Sequence, residues 1–201
     1  MINVLIAGVG GQGTVLASKL IAAAAMRKGL DVRTTETIGM AQRGGSVVSH
    51  IRMGSNINSP LIPQKSAHAI IGFEPAEAVR IINYLSRDGL MIVCDSALKP
   101  VTSSLGGDTY QASCMTDYLK KNVKNLVIID GERLLKECLN PKTLNVALLG
   151  AASESGIFPF SADEMKDALK DMLPHQFLEI NISAFEIGRR MYNETRNAGQ
   201  N

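Results

Sequence analysis

The chain has no tryptophan, and aromatic residues make up only 4% of its 201 residues. Its interior must therefore be filled mainly by Ile, Leu, Val, Ala and Met. Cysteine is scarce as well: Cys94, Cys114 and Cys138 are odd in number, far apart, and never in a CxxC pair. That excludes a disulfide framework and gives no iron–sulfur or zinc spacing; a reducing cytoplasm is the compartment it fits. Strong charge of one sign is missing too, with a net charge of +2 and no basic run interleaved with aromatics. A nucleic-acid partner is therefore not expected. No apolar run approaches the roughly 18 residues of a membrane span. The apolar start, Met1 to Ala7, is too short for a signal-peptide core and runs into glycines, not a cleavage site. A cytoplasmic chain with no membrane segment is the expectation.

What is present is ordinary for a folded domain, with 45% hydrophobic and 20% charged residues. No repeat, low-complexity tract or linker divides the chain, so residues 1–201 read as one domain, with a frayed tail over 195–201. Asn3–Ala7 (NVLIA) reads as a buried strand, Gly8–Gly13 (GVGGQG) as a turn, and Thr14–Lys28 as a helix ended by Gly29. Strands follow at Leu30–Glu36 and Ser46–Met53. His68–Phe73, Leu90–Asp95 and Leu126–Asp130 are continuous apolar runs, as parallel strands covered on both faces require. Glu74-Pro75 opens a helix whose stripe is Ala78, Ile81, Ile82 and Leu85. Ser96–Asp108 is polar and glycine-rich and reads as a loop. Beyond Asp130 the chain is helical, with a small-residue helix at Asn145–Ser155. Capping boxes are expected at Ser161/Glu164 and Ser183/Glu186. The fold class is α/β: a three-layer domain with a mostly parallel, Rossmann-like sheet, helices on both faces and one antiparallel strand.

Gly8, Gly10 and Gly13 satisfy G-x-G-x-x-G between a strand and a helix, where exposed N–H groups favour a phosphate. Glu36 ends the second strand, where a ribose-binding acid would be sought. Alone, that pattern says nicotinamide dinucleotide. Yet only about ten residues, Thr37 to Ser46, join the second and third strands, too few for a helical parallel crossover. They include Gly39, Gly44 and Gly45, so an irregular loop, with the two strands antiparallel, is the better reading. That second loop, Gly39-Met40-Ala41-Gln42-Arg43-Gly44-Gly45, offers an amide, a planar cationic fork and an approachable backbone. Both loops should emerge at the carboxyl edge of the sheet and line one site. The competing explanations are a tight turn without ligand for the first loop, and a chain crossing or subunit contact for the second.

Other polar residues read as structural. His50, His68 and His175 form no ligand spacing, and Cys94 reads as a small buried hydrophobe. Asp95 and Asp130 suit helix capping or loop hydrogen bonds. The small-residue helix could pack on the sheet or on another subunit.

NVLIAGVGGQGTVLAS, TETIGMAQRGGSVVSHIRMG and SPLIPQKSAHAIIGFEPAEAVR in this order resemble the small subunit of indolepyruvate ferredoxin oxidoreductases. More broadly, they resemble the gamma subunit or domain of pyruvate and 2-oxoacid:ferredoxin oxidoreductases. The resemblance covers nearly the whole chain and is most specific over Gly8–Gly54 and Ile71–Ala78. It implies oxidative decarboxylation of a 2-oxoacid to an acyl-CoA with reduction of ferredoxin. Thiamine diphosphate and iron–sulfur clusters are expected on a large partner subunit, with coenzyme A as co-substrate and no cofactor bound by this chain alone. The residues it carries over are Gly8, Gly10, Gly11, Gln12, Gly13 and Thr14 in the first loop. In the second they are Glu36, Gln42, Arg43, Gly44, Gly45 and Ser46. No catalytic residue and no metal ligand is assigned, and the chain is expected to be inactive alone. Two other classes stay open: a stand-alone nicotinamide oxidoreductase and a non-catalytic scaffold. So does a homodimer of the isolated chain.

Overall fold

A computed structural model describes residues 1–38, 45–96, 112–138 and 140–198. The loop residues Gln42, Arg43 and Gly44, and most of the polar stretch Ser96–Asp108, lie outside the described residues. Among the described residues, six strands form one sheet in the order β2-β3-β1-β4-β5-β6. They are β1 (Ile2–Val9), β2 (Asp31–Ile38), β3 (Ser46–Gly54), β4 (Ala67–Gly72), β5 (Leu85–Cys94) and β6 (Asn125–Ile129). β1, β4, β5 and β6 run parallel, whereas β3 runs against both of its neighbours, β1 and β2. The short link between β2 and β3 thus has the consequence expected of it: with no room for a crossover helix, the chain turns back.

β1 lies at the centre and is buried along both faces, which is why its sequence is apolar without alternation. One face is covered by α1 (Thr14–Arg27), α4 (Gly131–Cys138), α5 (Leu144–Glu154), α6 (Ala162–Met172) and α7 (His175–Ala198). The other carries α2 (Pro75–Arg80) and α3 (Ala112–Asn122), packed through Ala78, Ile81, Leu119 and Val123. α1 stops where Gly29 adopts φ +77°; its N–H bonds the Met26 carbonyl and that of Leu30 the Ala25 carbonyl. This is a glycine-terminated helix end that any Cβ would strain. Among the described residues, no helix is long and apolar enough to cross a membrane.

α5 packs on this chain's own α7 at backbone contact. Every residue from Leu144 to Ser153 is buried. A Cβ on Gly150 would collide with the carbonyl of Phe185, and one on Gly188 with the carbonyl of Ala147. The small residues are therefore required by an intrachain helix crossing. Ion pairs tie the outer helices together, with Arg189 reaching both Glu154 and Glu186, and Lys166 reaching Glu186.

Of three local expectations, one is met and two differ from the structure. The Ser161/Glu164 capping box forms, with the Glu164 N–H 3.2 Å from Ser161 Oγ and the Ser161 N–H 2.6 Å from Glu164 Oε2. Ser183/Glu186 does not cap anything, because α7 runs unbroken through it and buries Asn181, Ala184, Phe185 and Gly188. α2 ends at Arg80, a 3-10 turn spans Ile82–Tyr84, and Leu85 opens β5 opposite Ala67 instead of closing a helical stripe.

Candidate functional site

β1 delivers the first glycine loop to the carboxyl edge of the sheet. The chain leaves the strand at Val9 and turns over Gly11 (φ +104°) and Gly13 (φ +79°), and α1 begins at Thr14. Gly13 caps α1 with no side-chain hydrogen bond, so the amino end of the helix is closed by no hydroxyl or carboxylate of its own cap. Gln12 is folded back beneath the loop. Its Oε1 accepts the Val9 N–H at 2.6 Å, and its Nε2 donates to the Phe73 carbonyl at 3.1 Å.

The glycines have separate reasons to be glycine. A Cβ on Gly8 would lie 2.7 Å from Gln12 Oε1, 2.8 Å from Thr14 Cγ2 and 3.1 Å from Phe73 Cβ. On Gly13 it would meet Asn145 Nδ2 at 2.5 Å, while Gly11 has nothing within 4 Å of its own Cβ position. The space at Gly8 and Gly13 is thus already filled by protein, whereas Gly11 of these three combines a left-handed backbone with open surroundings.

The two loops meet. The Gly10 N–H donates to the Gly45 carbonyl at 2.8 Å, and Val9 pairs with Ser46 in the β1–β3 register. Gly45 and Ser46 therefore sit beside Gly10, as the shared-edge argument requires. Glu36 does not join them. It pairs with Ser49, which pairs with Ile6, so β3 stands between Glu36 and β1. Two strand spacings put β2 roughly 9–10 Å from β1. In a dinucleotide fold β2 lies directly against β1 and its terminal acid overhangs the loop. The inserted strand removes that geometry.

A cleft of about 430 Å³ opens on one side of the loop, between Gly11–Gly13 and the segment Pro141–Asn145, with Ser96 beyond β5. Its walls are largely apolar (Leu16, Leu135, Pro141 and Leu144), and Lys142 brings a cation to its rim. A second cleft, of about 320 Å³, lies toward β3 beside Gly10, Thr14 and Val47. Neither Lys142 nor Asn145 is a site candidate from the sequence alone. Their placement depends on Asn140, whose side chain accepts the Lys142 N–H at 2.9 Å and whose carbonyl accepts the Thr143 hydroxyl at 2.8 Å. Asn-Pro before a small-residue helix was the available signal, since Asn favours such turns.

Asp95, Asp130, His50 and His68 are committed within the fold. Asp95 Oδ1 accepts the Gly131 N–H at 2.7 Å and Asp130 Oδ1 the Arg133 N–H at 2.9 Å, so both cap or brace α4. His50 Nδ1 accepts the Ile62 N–H and His68 Nδ1 the Asn3 N–H. Burial pushes the Cys94 thiol up to about 12, which suppresses its thiolate. Among the described residues, no three His, Cys, Asp or Glu side chains gather as a metal site would need. The arrangement can bind and orient an anionic ligand with an apolar body.

The same chain is matched over residues 3–191 by the pyruvate ferredoxin/flavodoxin oxidoreductase family. The chain belongs to that family. A relative, indolepyruvate oxidoreductase subunit IorB of Thermococcus kodakarensis, is 38% identical over 191 residues, covering 92% of this chain and 93% of its own. The resemblance read from the two glycine loops is thereby borne out. The fold recurs in the gamma subunit of a keto/oxoacid ferredoxin oxidoreductase from Geobacter sulfurreducens. That structure has a TM-score of 0.70 at 18% identity, over 96% of this chain and 99% of that one. It recurs again in 2-oxoglutarate:ferredoxin oxidoreductase from Magnetococcus marinus (TM-score 0.71, 22% identity), covering 96% of this chain but 31% of that one. The family fold is thus found both as a whole chain and as one part of a longer chain. Both glycine loops, Lys142 and Asn145 lie inside the family match.

Proposed function

We propose that this chain is the small subunit of an indolepyruvate-type 2-oxoacid:ferredoxin oxidoreductase, and that its loop edge helps to hold coenzyme A. The observation that carries the reading is the 38% identity, over nearly both full lengths, to an indolepyruvate oxidoreductase subunit. The hydrogen bond from Gly10 to Gly45 supports it, because it joins the two loops of the family pattern into one edge. The cleft fits part of such a ligand: a few hundred Å³, apolar walls, one rim cation and the amino end of α1. The Magnetococcus enzyme, which shares the fold, was solved with coenzyme A bound.

In this reading the large partner holds thiamine diphosphate and the iron–sulfur clusters, which supply decarboxylation and electron transfer to ferredoxin. This chain binds and orients. Lys142 and the N–H groups opening α1 face phosphate oxygens, and Leu16, Leu135 and Leu144 shield the apolar length of the ligand from water. No proton transfer falls to this chain, which is inactive without its partner and works within the cytoplasm. Arg43, outside the described residues, would add a bidentate phosphate contact from the second loop.

The test is a reconstituted complex assayed for dye or ferredoxin reduction with indolepyruvate and coenzyme A. Lys142→Ala and Arg43→Ala should each raise the KM for coenzyme A about tenfold, the scale of one charge-assisted contact. A large subunit fully active alone would overturn the proposal. Unchanged coenzyme A kinetics in both variants would favour a scaffold. The stand-alone nicotinamide reading loses support from the strand between Glu36 and β1 and from Asn145 against Gly13. Saturable binding of NADH by the isolated chain would restore it.

A further inference from the structure

The family pattern invites reading every polar side chain of the first loop as a ligand contact, but Gln12 has both ends of its carboxamide occupied. The orientation of that amide follows from its partners. The Val9 N–H can only donate and the Phe73 carbonyl can only accept, so Oε1 must face Val9 and Nε2 must face Phe73. We infer that Gln12 is a positioning residue: a side-chain strut that sets where Gly10 and Gly11 stand, and through Gly10 where the second loop stands.

The hydrogen bonds form a continuous path. The last backbone rungs between β1 and β4 are the Ala7–Gly72 pairing and the Phe73 N–H on the Ala7 carbonyl at 2.7 Å. Beyond them the strands part, and Gln12 Nε2 on the Phe73 carbonyl supplies one more rung from a side chain. On the loop itself, the Gln12 N–H on the Val9 carbonyl (3.1 Å) and the Val9 N–H on Oε1 (2.6 Å) close the turn around Gly10 and Gly11. Gly10 then donates outward to Gly45. Phe73, Gln12, Gly10 and Gly45 thus link the ends of β4, β1 and β3. Gly8 belongs to the same device, because a Cβ there would occupy the place of Gln12 Oε1. With the carboxamide held beneath the loop, Gly11 is the part of the turn left facing open space.

The part of this inference that concerns ligand affinity rests on the coenzyme A reading above; the strut itself does not, so two readouts separate them. The first, on the full chain, is hydrogen exchange at the Gly10 amide. Gln12→Ala should lower its protection at least about tenfold, as expected when a bracing hydrogen bond is lost. The second uses Gln12→Glu, which keeps the shape and the acceptor. Ionised, it cannot donate to Phe73; protonated, its O–H can. Gly10 protection in Gln12→Glu should therefore be low near pH 8 and approach the wild-type value at the same pH near pH 3.5, below the ordinary glutamate pKa of about 4.3. In the reconstituted complex at pH 8 the KM for coenzyme A should be raised about tenfold in Gln12→Glu with kcat little changed. Unaltered Gly10 protection in Gln12→Ala, or the same loss at both pH values in Gln12→Glu, overturns the strut. Restored Gly10 protection with an unaffected KM keeps the strut and overturns the coenzyme A reading.

Discussion

Asn145 fills the space that a side chain on Gly13 would need, with Nδ2 2.5 Å from the position of the missing Cβ. The two residues lie 132 positions apart in the chain, and the contact fastens the start of α5 to the start of α1.

Gly13→Ala therefore suffers twice, from a left-handed backbone at φ +79° and from collision with Asn145. It should lose about 2–4 kcal/mol of stability, read from denaturant midpoints. Asn145→Ala in the same chain should recover the steric part and leave the backbone strain of about 1–2 kcal/mol. Additive losses would show that the two residues do not interact.

Gly150→Ala and Gly188→Ala both insert a methyl into the backbone of the facing helix and should each cost about 3 kcal/mol or more. Gly156→Ala, also at positive φ but with nothing within 4 Å, should cost about 1 kcal/mol from backbone strain alone. Thermal melts of the three variants test the ranking. Equal losses would refute the close crossing of α5 and α7.

Burial lowers the pKa of His50, and burial followed by the nearby N-terminal ammonium lowers that of His68; both fall below 6.5. The folded state thus resists protons that the unfolded chain accepts. The stability these groups contribute is whole above pH 6.5 and is lost as the pH falls below it. Protonation at Nδ1 would also break the bonds from Ile62 and Asn3. Urea midpoints should drop between about pH 7.5 and pH 5.5, and His50→Gln, which keeps an acceptor but does not titrate, should lessen the drop. A drop of unchanged size in both His50→Gln and His68→Gln would assign acid sensitivity elsewhere.

Burial raises the thiol pKa of Cys138 and holds Cys94 at about 12, whereas Cys114 is exposed. Alkylation of the native chain near neutral pH should modify Cys114 first, with the other two following only on unfolding. Mass spectrometry of the digested product reads this directly. Early labelling of Cys94 would contradict its burial beneath α4.

The strands were the most legible elements, because HAIIGF, LMIVCD and LVIID cannot be exposed on either face and their sequences say so without reference to any neighbour. The two S-x-x-E sequences show where local reading stops. Ser161 follows a non-helical segment, Ile157–Phe160, so its cap has a helix to begin. Ser183 is preceded by residues that already make helical bonds and bury one side, and the longer helix wins. At the site, the meeting of the two loops was legible from the strand–loop pattern. Lys142 and Asn145 were not, since they come to the cleft from a segment remote in the chain, next to a helix whose composition says only that it is small and apolar.

By itself the sequence determined which stretches are buried, where the glycine turns fall, that β2 and β3 cannot be joined by a helix, and which family's loops it carries. Each of these is written in spacing or in a local pattern, and spacing reports how one segment meets solvent. The tertiary structure alone decided that β3 enters between β1 and β2 and removes Glu36 from the loop. It also decided that Gln12 turns inward and that Asn145 closes over Gly13. Strand order and side-chain meetings of this kind are settled by packing between remote segments, which leaves no period in the chain.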